Sequence, residues 1–263
     1  MIQVCRECGE HNPPLKKTCQ RCGAFLAGWT VNNVTGKFGY RNKDGTFATM
    51  QEMNENSGTR ERVMDNLEGN IGAGKSTLGA MLEATGKFAF LPEPVSVWQQ
   101  DFPENLLNLF YSDQKQWGFT FQLAAFATRA KTWDDILKVT DHSHVIMERS
   151  IFSDRNVFAR NCHESGLMTD TEHAIYAKLW DWLNERWCVQ PNLTIYLRTP
   201  AKICRERIME RDRVEEKDAI PLKYLEDLER LHDEWLLSTP GVVVIEGEGD
   251  LDLHDVLTRI CGD

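Results

Sequence analysis

Five short, mostly apolar runs recur between positions 61 and 263, and the stretches separating them place their apolar residues at helical spacing. The runs are Val63-Met64-Asp65-Asn66-Leu67-Glu68, Phe88-Ala89-Phe90-Leu91-Pro92, His144-Val145-Ile146-Met147, Leu193-Thr194-Ile195-Tyr196-Leu197 and Val242-Val243-Val244-Ile245. Near-continuous apolar runs suit strands buried on both faces, the condition of a parallel sheet with helical crossovers. The pattern predicts helices over 77–84, 103–116 and 117–138, the last with Trp117, Phe121, Ala124, Ala125 and Thr128 at helical spacing. Thr169-x-x-Glu172 is a capping box for a helix to about Trp187; Thr199-Pro200 opens another, Pro221 a third to Leu237, and 251–261 is the last. The predicted fold class is therefore α/β, a parallel five-stranded sheet flanked by helices. Asp65 and Asn66 break the pattern, because they put polar groups into a strand that such a sheet buries.

Upstream the pattern is different. Phe38-Gly39-Tyr40-Arg41 and Thr46-Phe47-Ala48 flank a turn at Lys43-Asp44-Gly45, which predicts a hairpin, and Met50 to Arg60 reads as a polar linker. Trp29, Phe38, Tyr40 and Phe47 alternate with Lys37, Arg41 and Lys43; such aromatics pack a small hairpin, or stack on a single nucleic-acid strand. The expected organisation is a metal-binding segment over 1–26, a hairpin and linker over 27–60, and the α/β domain over 61–263.

Charge sharpens that division. Residues 1–60 carry 8 Lys/Arg and 5 Asp/Glu, a net +3, and the remainder 22 and 35, a net −13, within the total of −10. An acidic main body disfavours general nucleic-acid binding. No stretch approaches the roughly 20 apolar residues of a membrane span, and Met1-Ile2-Gln3-Val4-Cys5-Arg6-Glu7 resembles no leader, so a soluble, cytoplasmic protein is expected. Cys5-x2-Cys8-x10-Cys19-x2-Cys22 has the two-knuckle spacing of a tetrahedral zinc site; a disulfide pair and a redox C-x-x-C are the rivals. The surrounding stretch resembles zinc ribbons. Asn12 is placed as in Ran-binding-protein-type zinc fingers, although Gln3-Val4 stands where those fingers carry a tryptophan.

The strongest chemical signal is Gly69-Asn70-Ile71-Gly72-Ala73-Gly74-Lys75-Ser76, followed by Thr77. It fits G-x-x-x-x-G-K-[ST], a loop whose backbone N–H groups wrap phosphates, whose lysine reaches the outer ones and whose hydroxyl ligates Mg²⁺. A helix following it aims its positive end at the same phosphates. A nucleoside triphosphate with Mg²⁺ is the implied ligand. Glu93, at the C-terminal end of the second predicted strand, is the candidate general base, since ligands bind at that end of open α/β sheets.

LEGNIGAGKST, PEPVSVW, FTFQ with Arg129 seven residues past Gln122, MERSIFSDRNVF, and ERIMERDRVEE followed by IPLKYLEDL occur in order. Together they resemble the deoxynucleoside kinase family, in particular its deoxycytidine and deoxyguanosine kinase branch, over residues 67–238. The resemblance implies a P-loop kinase that phosphorylates the 5′-hydroxyl of a deoxynucleoside in nucleotide salvage. It implies Glu93 as base, Arg149 orienting it, Lys75 on the phosphates, and Ser76 with Glu148 around Mg²⁺. Arg207, Arg211 and Arg213 are implied as a lid over ATP. Gln122, Arg129 and Asp154 would read the base, Phe121 and Phe158 sandwich it, Trp98 line the pocket, and Tyr111 with Glu216 meet the sugar 3′-hydroxyl. Departures are the polar first strand, the zinc-ribbon-like segment, and one extra residue between Glu216 and Ile220. Deoxynucleoside, ATP and a second copy of the chain are the partners considered, with nucleic acid or protein at the ribbon. Two other readings stay open here: a non-catalytic adaptor with this fold, and a nucleic-acid 5′-end kinase guided by the ribbon.

Overall fold

The computed structural model describes residues 63–139, 142–187, 190–210 and 220–261, together with five short strands nearer the N-terminus. The chain divides into two compact units, Met1–Glu61 and Arg62–Asp263. In the first, β1 (Gln3–Val4) pairs antiparallel with β2 (His11–Asn12), and β3 (Trp29–Val31), β4 (Phe38–Arg41) and β5 (Phe47–Thr49) form an antiparallel sheet. The hairpin strands stand where the pattern predicts them, with one more strand before them. The four clustered cysteines lie outside the described residues.

The second unit is built on five parallel strands, β6 (Val63–Glu68), β7 (Ala89–Leu91), β8 (His144–Glu148), β9 (Leu193–Arg198) and β10 (Val242–Glu246), in the order β10-β9-β6-β8-β7. Alternation divides their side chains between two cores. Met64, Val145 and Met147 face one, and Leu67, Ile146 and Ile195 the other. The helices covering these faces are α1 (Lys75–Ala84), α2 (Val95–Gln100), α3 (Leu106–Ser112), α4 (Gln114–Val139), α5 (151–164), α6 (Asp170–Trp187), α7 (Ala201–Glu210), α8 (Leu222–Leu236) and α9 (Leu253–Cys261). Helix α5 runs through Ile151–Ser153, a π turn at Asp154–Ala159, and Arg160–Glu164.

The polar interruption of β6 now has a physical account. Asp65 is buried, and its carboxylate lies 2.6 Å from His144 Nε2 on the neighbouring β8, while burial raises the Asp65 pKa against that partner's pull. A further clip follows, in which Met64 N–H donates to Asn192 Oδ1 at 2.8 Å and Asn192 N–H to the Met64 carbonyl at 2.6 Å. Asn66 is buried beside Asp65, and nothing in the structure explains its polarity.

Helix boundaries depart from the periodicity. Instead of one helix over 103–116, Asn105 Oδ1 accepts the Asn108 N–H to cap the shorter α3, and Asp113 Oδ1 accepts the Gln116 N–H to start α4 three residues earlier than predicted. The apolar pattern assigns no helix to 151–164, where α5 forms. It opens on a capping box between Ser150 and Ser153, buries Ile151, Val157, Ala159 and Cys162, and shares a ring of exposed charges with α8. Arg160 reaches Glu164 and Glu234 at 2.7 Å, and Arg230 reaches the same two carboxylates at 2.8 Å.

Because every strand of the parallel sheet and both cores belong to the second unit, residues 62–263 expressed alone are expected to fold. Circular dichroism and a cooperative melt within a few degrees of the full chain would show it; loss of the transition would show that the first unit is needed for folding.

Candidate active site

The phosphate-loop sequence connects β6 to α1, and its glycines are required by geometry. Gly72 has φ +81°, and a Cβ there would stand 2.5 Å from the Cys204 carbonyl; Gly74 precedes α1 at φ +103°. The loop is braced from outside. Asn70 Nδ2 donates to the Leu225 carbonyl at 2.8 Å, while Thr199 Oγ1 (3.1 Å) and Arg207 Nη1 (2.8 Å) both donate to the Ala73 carbonyl. Arg207 also donates through Nη2 to the Gly247 carbonyl at 2.9 Å. In this structure, therefore, Arg207 is a strut under the loop. Arg211, Arg213 and Glu216 lie outside the described residues.

Lys75 is folded onto its own loop, with Nζ 2.8 Å from the Asn70 carbonyl, 3.2 Å from that of Gly69 and 3.8 Å from Glu148 Oε1. Ser76 Oγ donates to Glu148 Oε2 at 2.9 Å. A hydroxyl and a carboxylate side by side are hard oxygen donors, which suits Mg²⁺ completed by phosphate oxygens and water.

Facing this group is a buried charge network. Glu93 Oε1 accepts from Arg129 Nη2 at 2.9 Å and lies 3.2 Å from Arg149 Nε. Arg129 also grips Asp154, through Nε at 2.9 Å and Nη2 at 3.2 Å, and Trp98 lies 5.5 Å from its guanidinium. Burial alone would raise the Glu93 pKa; Arg149, Arg129 and Lys75 outweigh it and hold the carboxyl at about 2 against an ordinary 4.5. Burial also opposes the Arg129 charge, yet Asp154 and Glu93 raise its pKa above the usual arginine value.

Arg149 owes its aim to its backbone. Its φ of +64° is the one positive value at a non-glycine position among the described residues. Its N–H donates to the Leu67 carbonyl at 3.0 Å, and the next residue, Ser150, donates its hydroxyl to buried Glu68, so two consecutive residues pin the turn to the end of β6. The Arg149 guanidinium lies 4.6 Å from the Phe158 ring centre.

One cleft gathers most of the residues singled out in the sequence. Ile71, Gly72, Lys75, Ser76, Glu93, Trp98, Tyr111, Phe121, Gln122, Arg129, Glu148, Arg149, Asp154 and Phe158 all line it. Gly69, Asn70, Ala73, Gly74 and Thr77 shape the loop without lining the cleft. Sequence reasoning missed Pro92, Val95, Leu107, Phe110, Ala125 and Tyr224. Phe110 stacks on Phe121 with ring centres 4.6 Å apart, and Tyr224 arrives on α8 within IPLKYLEDL, a motif noted for its resemblance but given no contact.

The sequence profile of the deoxynucleoside kinase family matches residues 66–258. The chain belongs to that family. It is similar to the probable deoxycytidine kinase of fowlpox virus, 38% identical over 197 residues, which are 73% of this chain and 81% of that protein. Mouse deoxycytidine kinase is 38% identical over 202 residues, 68% and 77% of the two chains. Human mitochondrial thymidine kinase 2 is 35% identical over 192 residues, 71% of each. As a deoxynucleoside kinase the protein is an enzyme of nucleotide salvage that uses ATP with Mg²⁺. No helix among the described residues is long and apolar enough to cross a membrane.

The depressed Glu93 pKa carries a sign. A carboxylate whose folded pKa lies below its unfolded one contributes stability that is complete above about pH 4.5 and is lost as pH falls toward 2. Glu93→Gln is therefore expected to be less stable than the parent at pH 7, with the gap closing on acidification. Paired thermal melts from pH 7 to 2.5 test this; a pH-independent gap would mean that Glu93 is not held as an ion.

Proposed function

We propose that this deoxynucleoside kinase transfers the γ-phosphoryl group of ATP to the 5′-hydroxyl of deoxycytidine or a purine deoxynucleoside. The observation that carries the reading is Glu93, a carboxylate kept ionised between two guanidiniums in the same cleft as the phosphate loop. In this role Glu93 accepts the hydroxyl proton, Arg149 holds its carboxylate and faces the transferring group, and Lys75 leaves its loop carbonyls for the outer phosphates. Ser76 and Glu148 hold Mg²⁺, which when bound neutralises charge on the phosphates. Arg207 keeps the loop in shape and, with Arg211 and Arg213, closes over ATP.

Base preference rests on Gln122, Arg129 and Asp154, all of which line the cleft. An arginine already clamped by two carboxylates is a rigid donor, and Asp154 an acceptor for an amino or imino proton. The pair fills space that the 5-methyl of thymine needs. An adaptor has no use for this buried charge, whose desolvation costs several kcal/mol per ion.

Glu93→Gln is expected to lower turnover by about 10²–10⁴ with ATP binding kept. In side-by-side kcat/KM measurements thymidine should be the poor substrate, and Arg129→Met with Asp154→Ala should raise its use relative to deoxycytidine. Near-normal turnover in Glu93→Gln would move the base elsewhere, and thymidine as best substrate would overturn the pocket reading alone.

Two structural assignments accompany this. Cys5, Cys8, Cys19 and Cys22 hold one structural zinc, supported by their spacing, and the ribbon is a candidate contact for nucleic acid or protein. The enzyme is a homodimer through α6, supported by Ile175, Leu179 and Trp182, which share one helical face and are 44%, 41% and 51% exposed. Metal analysis and sedimentation of one reduced sample test both: one zinc per chain and a dimer mass that Leu179→Glu abolishes. Absence of zinc, or a monomer mass in the parent, would remove the respective assignment.

A further inference from the structure

Gln122 projects from α4 into the cleft and is only 1% exposed. Its Nε2 donates to Cys162 Sγ at 3.7 Å, within the reach of a hydrogen bond to sulfur, while its Oε1 is buried with no partner. Cys162 comes from the last turns of α5 and is 0% exposed. The sulfur also lies close to Gly118, one turn before Gln122 on α4.

The two ends of a carboxamide have nearly the same shape and opposite chemistry, so whatever holds one end decides what the other offers. An amide that leaves Oε1 for the ligand suits a base edge with an amino group beside a ring acceptor, as in cytosine and adenine. Rotated by half a turn it would suit a carbonyl beside a ring N–H, as in uracil, thymine and guanine. Burial pushes the Cys162 pKa up to about 12, so the sulfur stays a thiol at neutral pH. A thiol is a weak acceptor and a weak donor, which makes it a bias on the amide and not a lock.

We propose that Cys162 is a positioning residue for base selection: its sulfur accepts the Gln122 N–H and turns the amide oxygen toward the base, favouring cytosine and adenine over bases that present a carbonyl there. The inference rests on the reading of Gln122 as a base contact. Nothing is transferred to or from the sulfur.

Deoxycytidine and deoxyuridine share sugar and ring and differ only in this donor–acceptor edge, so their kcat/KM ratio reads the amide directly. Cys162→Val, close in volume but without hydrogen-bonding capacity, is expected to lower the deoxycytidine-to-deoxyuridine ratio by about 3- to 10-fold, the size of one modest hydrogen bond, through KM more than kcat. Cys162→Ser, whose hydroxyl can accept the same N–H, should bring the ratio back to within about twofold of the parent, on the same scale. If the valine variant does not fold, Cys162→Ala removes the sulfur without adding bulk and is read the same way. An unchanged ratio in the sulfur-free variant, or a serine variant as far displaced as it is, would overturn the role of Cys162. Gln122→Leu separates the two levels: if it leaves the ratio as in the parent, the base-contact reading falls; if it collapses the ratio while the sulfur-free variant does not, only the inference about Cys162 falls.

Discussion

Everything in the cleft depends on keeping one carboxylate charged away from bulk water. Taking an ion out of water costs several kcal/mol, and a lone buried carboxyl answers by holding its proton. Glu93 is kept from doing so by Arg129 and Arg149, which arrive from α4 and from the end of β8, with Lys75 adding its charge from the phosphate loop. Each cation has its own anchor. Arg129 is gripped by Asp154 on α5, Arg149 is aimed by a left-handed backbone, and Lys75 rests on loop carbonyls. The sheet, the π turn and the loop are in this sense supports for a single charge balance, and removing any one cation would weaken the compensation of the buried carboxylate.

The sequence showed most plainly what is contiguous. The phosphate loop is legible because its torsional and phosphate-binding requirements fall within eight adjacent residues, and the strands because burial on both faces leaves an apolar run. Glu93 could be placed because strand ends in such sheets face ligands. Illegible were features whose cause lies far along the chain. Asp65 is intelligible only beside His144, and α5 only through the capping box of Ser150 and the charges on α8. Phe110 was hidden for another reason: an aromatic in a helix looks the same whether it packs a core or backs a ligand site.

Arg207 shows that a residue assigned to a ligand by motif also has a structural part to play. The family resemblance implies it, with two other arginines, as part of a lid, and a guanidinium suits phosphate well. In the structure its donors reach the Ala73 and Gly247 carbonyls, so it ties the phosphate loop to the segment after β10. A residue can lie in the right motif and act on the ligand through the loop it supports.

The strand order also bears on how the molecule comes into being. The central strand β6 precedes both of its neighbours in the chain, so synthesis delivers the middle of the sheet before either flank. Its phosphate loop leans on Leu225 and, through Arg207, on Gly247, some 150 residues or more downstream. A growing chain therefore carries the complete phosphate-binding motif long before it can hold it in shape. The residues that brace the phosphate loop are thus translated well after the loop itself.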